Sequence, residues 1–235
     1  MKLNEVMAAL EAKGSESIKR LLMKHGAKEP FFGVKIGDMK PIAKKLKGEQ
    51  ALALELFATG NGDAQYLAGV IADGRQMTAG QLQTWADTAT WAMSSMTAVP
   101  WVASEHPEGF NLAIKWIESK NEEVARAGWN TLSALAATIP DADLPVARFG
   151  KLLDRMAREM PKATEGVRYA MNNFIISCGT YIAPLGARAI ATARKLGKVE
   201  IDMGDTDCKV PDAESYIIKS RRGAAVAPKR KTVRC

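Results

Sequence analysis

The chain has 235 residues, 47% hydrophobic and 25% charged, with a formal net charge of +7, the balance of an ordinary globular protein long enough to bury a sizeable core. No stretch approaches the ~18 consecutive apolar residues of a membrane span, and the charged, helix-periodic start MKLNEVMAALEAKG is no signal peptide, so the expected address is cytoplasmic. Three cysteines (Cys178, Cys208, Cys235) and two histidines (His25, His106) stand at spacings that match no zinc, redox or triad pattern, so no metal or cofactor is expected.

In chain order, residues 2–13 and 16–25 read as a helix pair broken at Gly14. Residues 28–38, KEPFFGVKIGD, hold two aromatics, two glycines and a proline, and predict a loop that docks apolar side chains. Asp38 is expected to cap a basic helix, MKPIAKKLKG, with Pro41 in its first turn. Lys40, Lys44, Lys45 and Lys47 make that helix either a phosphate-facing element or a solvated lysine face. Residues 49–59 and 63–73 form the next pair, joined by GNGD, and residues 78–96 are tryptophan-rich and read as two helices broken near Ser94. Residues 107–119, 121–135, 144–160, 164–179 and 181–196 continue the series, with Pro140, Pro145, Pro161 and Pro184 at boundaries or first turns.

After Gly197 the character changes. Residues 197–218 form an acidic extension with a VEI run, a turn at Gly204 and Asp205, and a short helix in PDAESYIIKS. Residues 219–235 hold seven basic residues and no acidic one, so the remainder carries 26 basic groups against 26 acidic. Without apolar periodicity, this last stretch is expected to be a flexible tail.

Three helices repeat in register. With Asp63, Asn121 and Thr164 placed as N-caps, bulky residues follow at Tyr66, Val124 and Val167, and very small ones at Gly69, Ala127 and Ala170. A small residue one turn after a bulky one lets a neighbouring helix approach closely. The recurrence predicts an all-α fold over 1–196, a solenoid of antiparallel helix pairs, with an irregular helical bundle as the plainer alternative. Arg126, Lys162, Arg168 and the 40–47 lysines can line one concave face of such a solenoid, and phosphate contacts there supply affinity without sequence information. No phosphate-binding glycine motif is present.

Residues 121–135 and 164–179 resemble the bacterial DNA alkylation repair family of HEAT-like helical-repeat proteins. The segment 31–46, FFGVKIGDMKPIAKKL, is similar to that family's early Y/F-G-V-x-x-x-D-L-R-x-I-A-K segment at Phe32, Gly33, Val34, Asp38, Ile42, Ala43 and Lys44. The resemblance spans most of residues 28–196. It implies a curved HEAT-like α-solenoid that grips duplex DNA on its concave face. Active members excise cationic alkylpurines without metal or cofactor, using a carboxylate, tryptophans near the lesion and an arginine on phosphate.

Carried over by position, the family's arginine falls on Arg126 and its Trp-Trp-Asp-x-x-Asp segment on residues 85–90. Trp85 and Asp87 match, but a lesion-facing tryptophan becomes Ala86, the catalytic aspartate becomes Thr90, and a second tryptophan becomes Asn173. Neutral Thr90 cannot stabilise a developing positive charge as a carboxylate does, which leaves Asp87, almost one turn away, as the weak catalytic candidate. The resulting expectation is a monomeric binder of damaged or branched duplex DNA, either a weak N-glycosylase or a non-catalytic relative, touching DNA through Arg126, Trp85, Asn173, Arg168, Lys162, Lys44 and Lys45. The alternative is a protein-interaction scaffold. A positive stripe around Arg126 would favour DNA, and an apolar or mixed groove the scaffold.

Overall fold

Amphipathic segments punctuated at short intervals by glycine and proline drive the chain into consecutive helices. The computed structural model describes residues 1–202 and 209–234 and contains no strand among them. The first helices are α1 (Leu3–Glu11), α2 (Glu16–Lys24), α3 (Ile36–Lys45), α4 (Gln50–Ala58), α5 (Gly62–Ile71) and α6 (Ala79–Thr88). A π-helical turn, Ser94–Ala98, runs into α7 (Val99–Ala103), followed by α8 (Gly109–Trp116) and α9 (Glu122–Thr138). The series closes with α10 (Val146–Glu159), α11 (Glu165–Tyr181), α12 (Gly186–Leu196) and α13 (Ala213–Arg221).

These helices stack as a solenoid. An inner row runs from α5 to the π turn and α7, on to α9, α11 and finally α13, each packed on the next. Outer helices back it, α4 on α5, α6 on α7 and α8 on α9, with α12 against α10 and α11. Two large hydrophobic clusters result, beside a small one of Ala27, Phe31 and Trp91, and α9 belongs to both large ones: Val124 and Ala127 enter the first, Trp129, Leu132 and Leu135 the second.

The bulky-then-small register has the steric basis it implied. Ala127 and Ala170 are completely buried, and a Cβ on Gly69 would collide with Ala98 of the π turn. Between α8 and α9 the approach is as close, since a Cβ on Gly128 would lie 2.8 Å from the backbone nitrogen of Ile117. These contacts set the spacing of the inner row.

Several local expectations are corrected. Helix α5 is capped by Asn61, whose side chain accepts the N–H groups of Asp63 and Ala64, 3.1 Å each. Asp63 instead turns its buried carboxylate to the 28–38 loop, accepting the N–H groups of Phe32, Gly33 and Val34 at 2.6, 3.0 and 3.2 Å. Gly33 meets this need at φ +77, where a Cβ would lie 2.7 Å from the backbone of Lys19. The Phe-Gly-Val segment thus has a structural cause: it wraps one buried carboxylate. Helix α3 begins at Ile36, so Asp38 sits in its first turn and is not the cap. The break in the tryptophan-rich segment precedes Ser94, which opens the π turn. Asn121 caps α9 through Glu123 N–H at 3.0 Å, whereas the Thr164 side chain makes no cap bond. The turn at Gly204 and Asp205, together with Cys208 and Cys235, lies outside the described residues.

The basic end of the chain departs most from expectation. Residues 222–234 form no helix, yet their backbone is pinned to the solenoid. The last carbonyls of a helix have no partner within it and carry the negative end of its dipole. The tail supplies donors to such carbonyls on three inner helices. On α11, the Ala227 N–H reaches Thr180 at 2.9 Å and Arg221 reaches Gly179. On α9, the Arg230 N–H reaches Ala137 at 2.7 Å and Lys229 reaches Ala136 at 2.8 Å. On α5, Arg234 reaches Val70 at 3.1 Å. Lys229 also pairs with Asp141, and Arg234 with Glu105. A flexible tail is therefore not what the structure shows; helix ends, not apolar periodicity, order it.

Burial raises the Asp63 carboxyl above its ordinary 3.8 against the pull of its three N–H partners. The folded carboxyl then holds its proton more readily than the unfolded one, so this group's contribution to stability falls as pH rises from about 4 through the raised value. Asp63→Ala strands three N–H groups and is expected to cost about 3 kcal/mol or more, read by chemical denaturation, with amide exchange accelerating first at residues 32–34.

Candidate nucleic-acid interface

The inner row presents a groove of about 270 Å³. Pro100 and Trp101 of α7, Asn130, Ser133 and Ala137 of α9, Asn173, Ser177 and Thr180 of α11, Tyr216 of α13 and Arg230 of the tail line it. Their polar groups are hydroxyls, carboxamides, one indole and one guanidinium; among the described residues no carboxylate takes part in the lining.

Helix α9 explains why this wall is quiet. Every residue from 124 to 137 is buried, so its polar side chains are satisfied within the helix. Asn130 donates to the Arg126 carbonyl at 2.9 Å, Thr131 to Ala127 at 2.8 Å and Ser133 to Trp129 at 3.0 Å. Asn173 lies 3.5 Å from Asn130 Oδ1, the weak limit of a hydrogen bond. Its amide therefore keeps hydrogen-bonding capacity toward the groove.

Arg126 is placed differently from the expected phosphate ligand. Its guanidinium is 9% exposed and lies between two carboxylates, Nη2 2.7 Å from Glu122 Oε1 and Nη1 2.9 Å from Glu123 Oε2. Glu122 also accepts the Gly166 N–H of α11, and Glu123 the Ser95 hydroxyl of the π turn. A Cβ on Gly166 would collide with the guanidinium, so glycine is what lets α11 close over it. Nε has no acceptor among the described residues, but it is itself buried and not offered to a ligand. The group joins three inner-row elements.

The other predicted residues scatter. Trp85 is buried, stacked on Phe57 with ring centroids 4.0 Å apart, so it is core and not a DNA contact. Trp91 is also buried, beside Phe31. Asp87 is exposed on α6, accepts Gln83 Nε2 at 3.0 Å and does not line the groove. Thr90 lies beyond α6, its N–H and hydroxyl both donating to buried Gln65 Oε1 at 3.1 and 2.9 Å. Asp87, the acid of this segment, thus lies away from the groove. Arg168 pairs with Glu165 at 3.1 Å, while Lys162, Lys44 and Lys45 are exposed. Asn173 alone of the predicted set enters the groove.

A second recess of about 440 Å³ holds Lys44, Lys47, Arg75 and Arg234 together with Asp73 and Glu105. Sequence reasoning missed Trp101 and Tyr216 as groove residues, since nothing in the pattern pointed to them. Arg230 belongs to the 221–234 charge run, which the sequence offers as a loose electrostatic contact for nucleic acid or a partner of the acidic strip, without placing it in a groove. Among the described residues no three His, Cys, Asp or Glu side chains converge as a metal site, and no single helix is long and apolar enough to cross a membrane.

Comparison with known proteins adds to this geometry. Residues 6–200 match the pattern of a family described as DNA alkylation repair enzyme. Uncharacterised proteins of Listeria innocua and Listeria monocytogenes are 33% and 32% identical over 218 residues, covering 90% of this chain and 94% of each relative. One solved structure superposes with a TM-score of 0.89 at 36% identity, covering 100% of both chains. It represents a family of proteins related to the HEAT-like repeat DNA glycosylases with affinity for branched DNA structures. The fold is thus HEAT-like, and the chain belongs to the DNA alkylation repair enzyme family.

Proposed function

We propose that this chain binds branched or otherwise distorted duplex DNA through its sugar-phosphate backbone and does not excise bases, acting as a cytoplasmic monomer. The observation that carries the reading is the chemistry of the groove, whose polar lining among the described residues is neutral hydrogen-bonding groups and one arginine, without a carboxylate. Hydroxyls, amides and guanidinium groups are the partners of phosphate and sugar. Cleavage of a glycosidic bond instead draws on a carboxylate placed against the oxocarbenium-like centre. Family membership and the affinity of the structural neighbour for branched DNA support the nucleic-acid class.

The apolar share of the same wall, Met96, Pro100, Trp101, Ile176 and Val233, supports a second reading, a scaffold that takes a peptide. Titrating four-way junction and linear duplex of matched sequence at two salt concentrations separates the two. DNA recognition predicts tighter junction binding that weakens steeply with salt; absence of binding to either DNA leaves the scaffold. Single-turnover incubation with methylated duplex is expected to release 7-methylguanine no faster than the spontaneous rate, and faster release would make the protein a glycosylase.

Because Arg126 is already paired, Arg126→Ala is expected to act on stability. Leaving two partly exposed glutamates without their cation should cost about 1–3 kcal/mol, seen as a lower Tm, while the salt slope of DNA binding stays unchanged.

A further inference from the structure

We propose that the docked tail is the principal phosphate-binding element of the groove, with Arg230 and Lys231 as its contacts; this rests on the DNA-binding reading above. Beyond Lys219 and Arg222, which are exposed at the end of α13, the basic residues of the tail fall into two sets. Arg221, Lys229 and Arg234 turn inward, each held by a helix-end carbonyl, the last two also by a carboxylate. Arg230 and Lys231 are exposed and have no acidic partner among the described residues. The backbone between them is fixed, because the Arg230 N–H is bonded to Ala137 at 2.7 Å. Both side chains therefore start from an anchored backbone and lose less freedom on binding than a loose basic tail would.

Electrostatics give the arrangement its purpose. Without the tail, this edge of the groove would present the C-terminal dipole ends of α9 and α11, which repel phosphate, and the second recess that of α5. The inward-turned cations offset those ends, and the outward pair adds net positive charge. Arg230 sits in the groove wall facing the same space as Asn173, so the tail forms a side of the groove and leaves it open. Its far end, Arg234, reaches the recess that holds Lys44, Lys47 and Arg75. There Asp73 and Glu105 pair Arg75 and Arg234, and Lys44 and Lys47 extend the positive charge of Arg230 and Lys231 along a path a phosphodiester strand can follow.

The test uses the full chain with R230Q/K231Q and with the charge-preserving R230K/K231R, titrated against a four-way junction from low to moderate salt. Both positions are exposed, so unchanged circular dichroism and Tm are expected. For R230Q/K231Q the junction Kd should rise roughly tenfold or more at about 0.1 M salt, and the slope of log K against log salt should fall by about 2. R230K/K231R should keep the wild-type slope. If the wild type binds DNA and R230Q/K231Q binds with the same affinity and slope, the tail is not the contact. If R230Q/K231Q binds more tightly, the tail is a plug and the inference is overturned. If the wild type itself binds no DNA, it is the broader functional reading that fails.

Discussion

A helix buried on every side cannot carry an uncompensated charge, and α9 is such a helix. It sits where the two large hydrophobic clusters meet, so the rest of the inner row is placed by what packs on it. Its arginine must be neutralised where it stands, and the glutamates one turn back do this while reaching α11 and the π turn. Its hydroxyl and amide side chains must be satisfied locally, so they return to their own backbone. From this one constraint follow the close approach at Gly166 and the neutral wall that α9 gives the groove.

The same economy holds at Thr90 and Asn173. The Thr90 hydroxyl fastens the end of α6 to Gln65 of α5, and the Asn173 amide lies beside Asn130. Both side chains serve packing and hydrogen bonding between helices.

Sequence pattern carried the solenoid further than the site. Small residues at 69, 127 and 170 had to be small, because a helix axis passes within contact distance, and that need shows as a repeat. Glu122 and Glu123 were legible as residues suited to the positive end of α9, and their spacing of four and three from Arg126 was an equally visible sign that they would pair with it. Asp63 misled because aspartate suits a helix start as well as a buried anchor, and only the fold brings the 32–34 backbone to it. Trp85 was ambiguous for the same reason: an indole satisfies a DNA surface or a core, and Phe57 decides. The tail lay beyond pattern altogether, since it docks on helix-end carbonyls, which no side-chain periodicity encodes.

A stack of helix pairs is in principle one-dimensional, each unit stabilised only by its neighbours and free to fray from either end. The tail breaks that topology. Arg234 bonds Val70, 164 positions earlier in the chain, while Lys229 and Arg230 hold α9 and Ala227 holds α11. Opening of the last helices thus pulls on α5, and loosening of α5 releases the strap from the far end. Contacts that would otherwise decay unit by unit become coupled across the array. The molecule should therefore exchange its inner-row amides as one cooperative block rather than as a gradient from the termini inward.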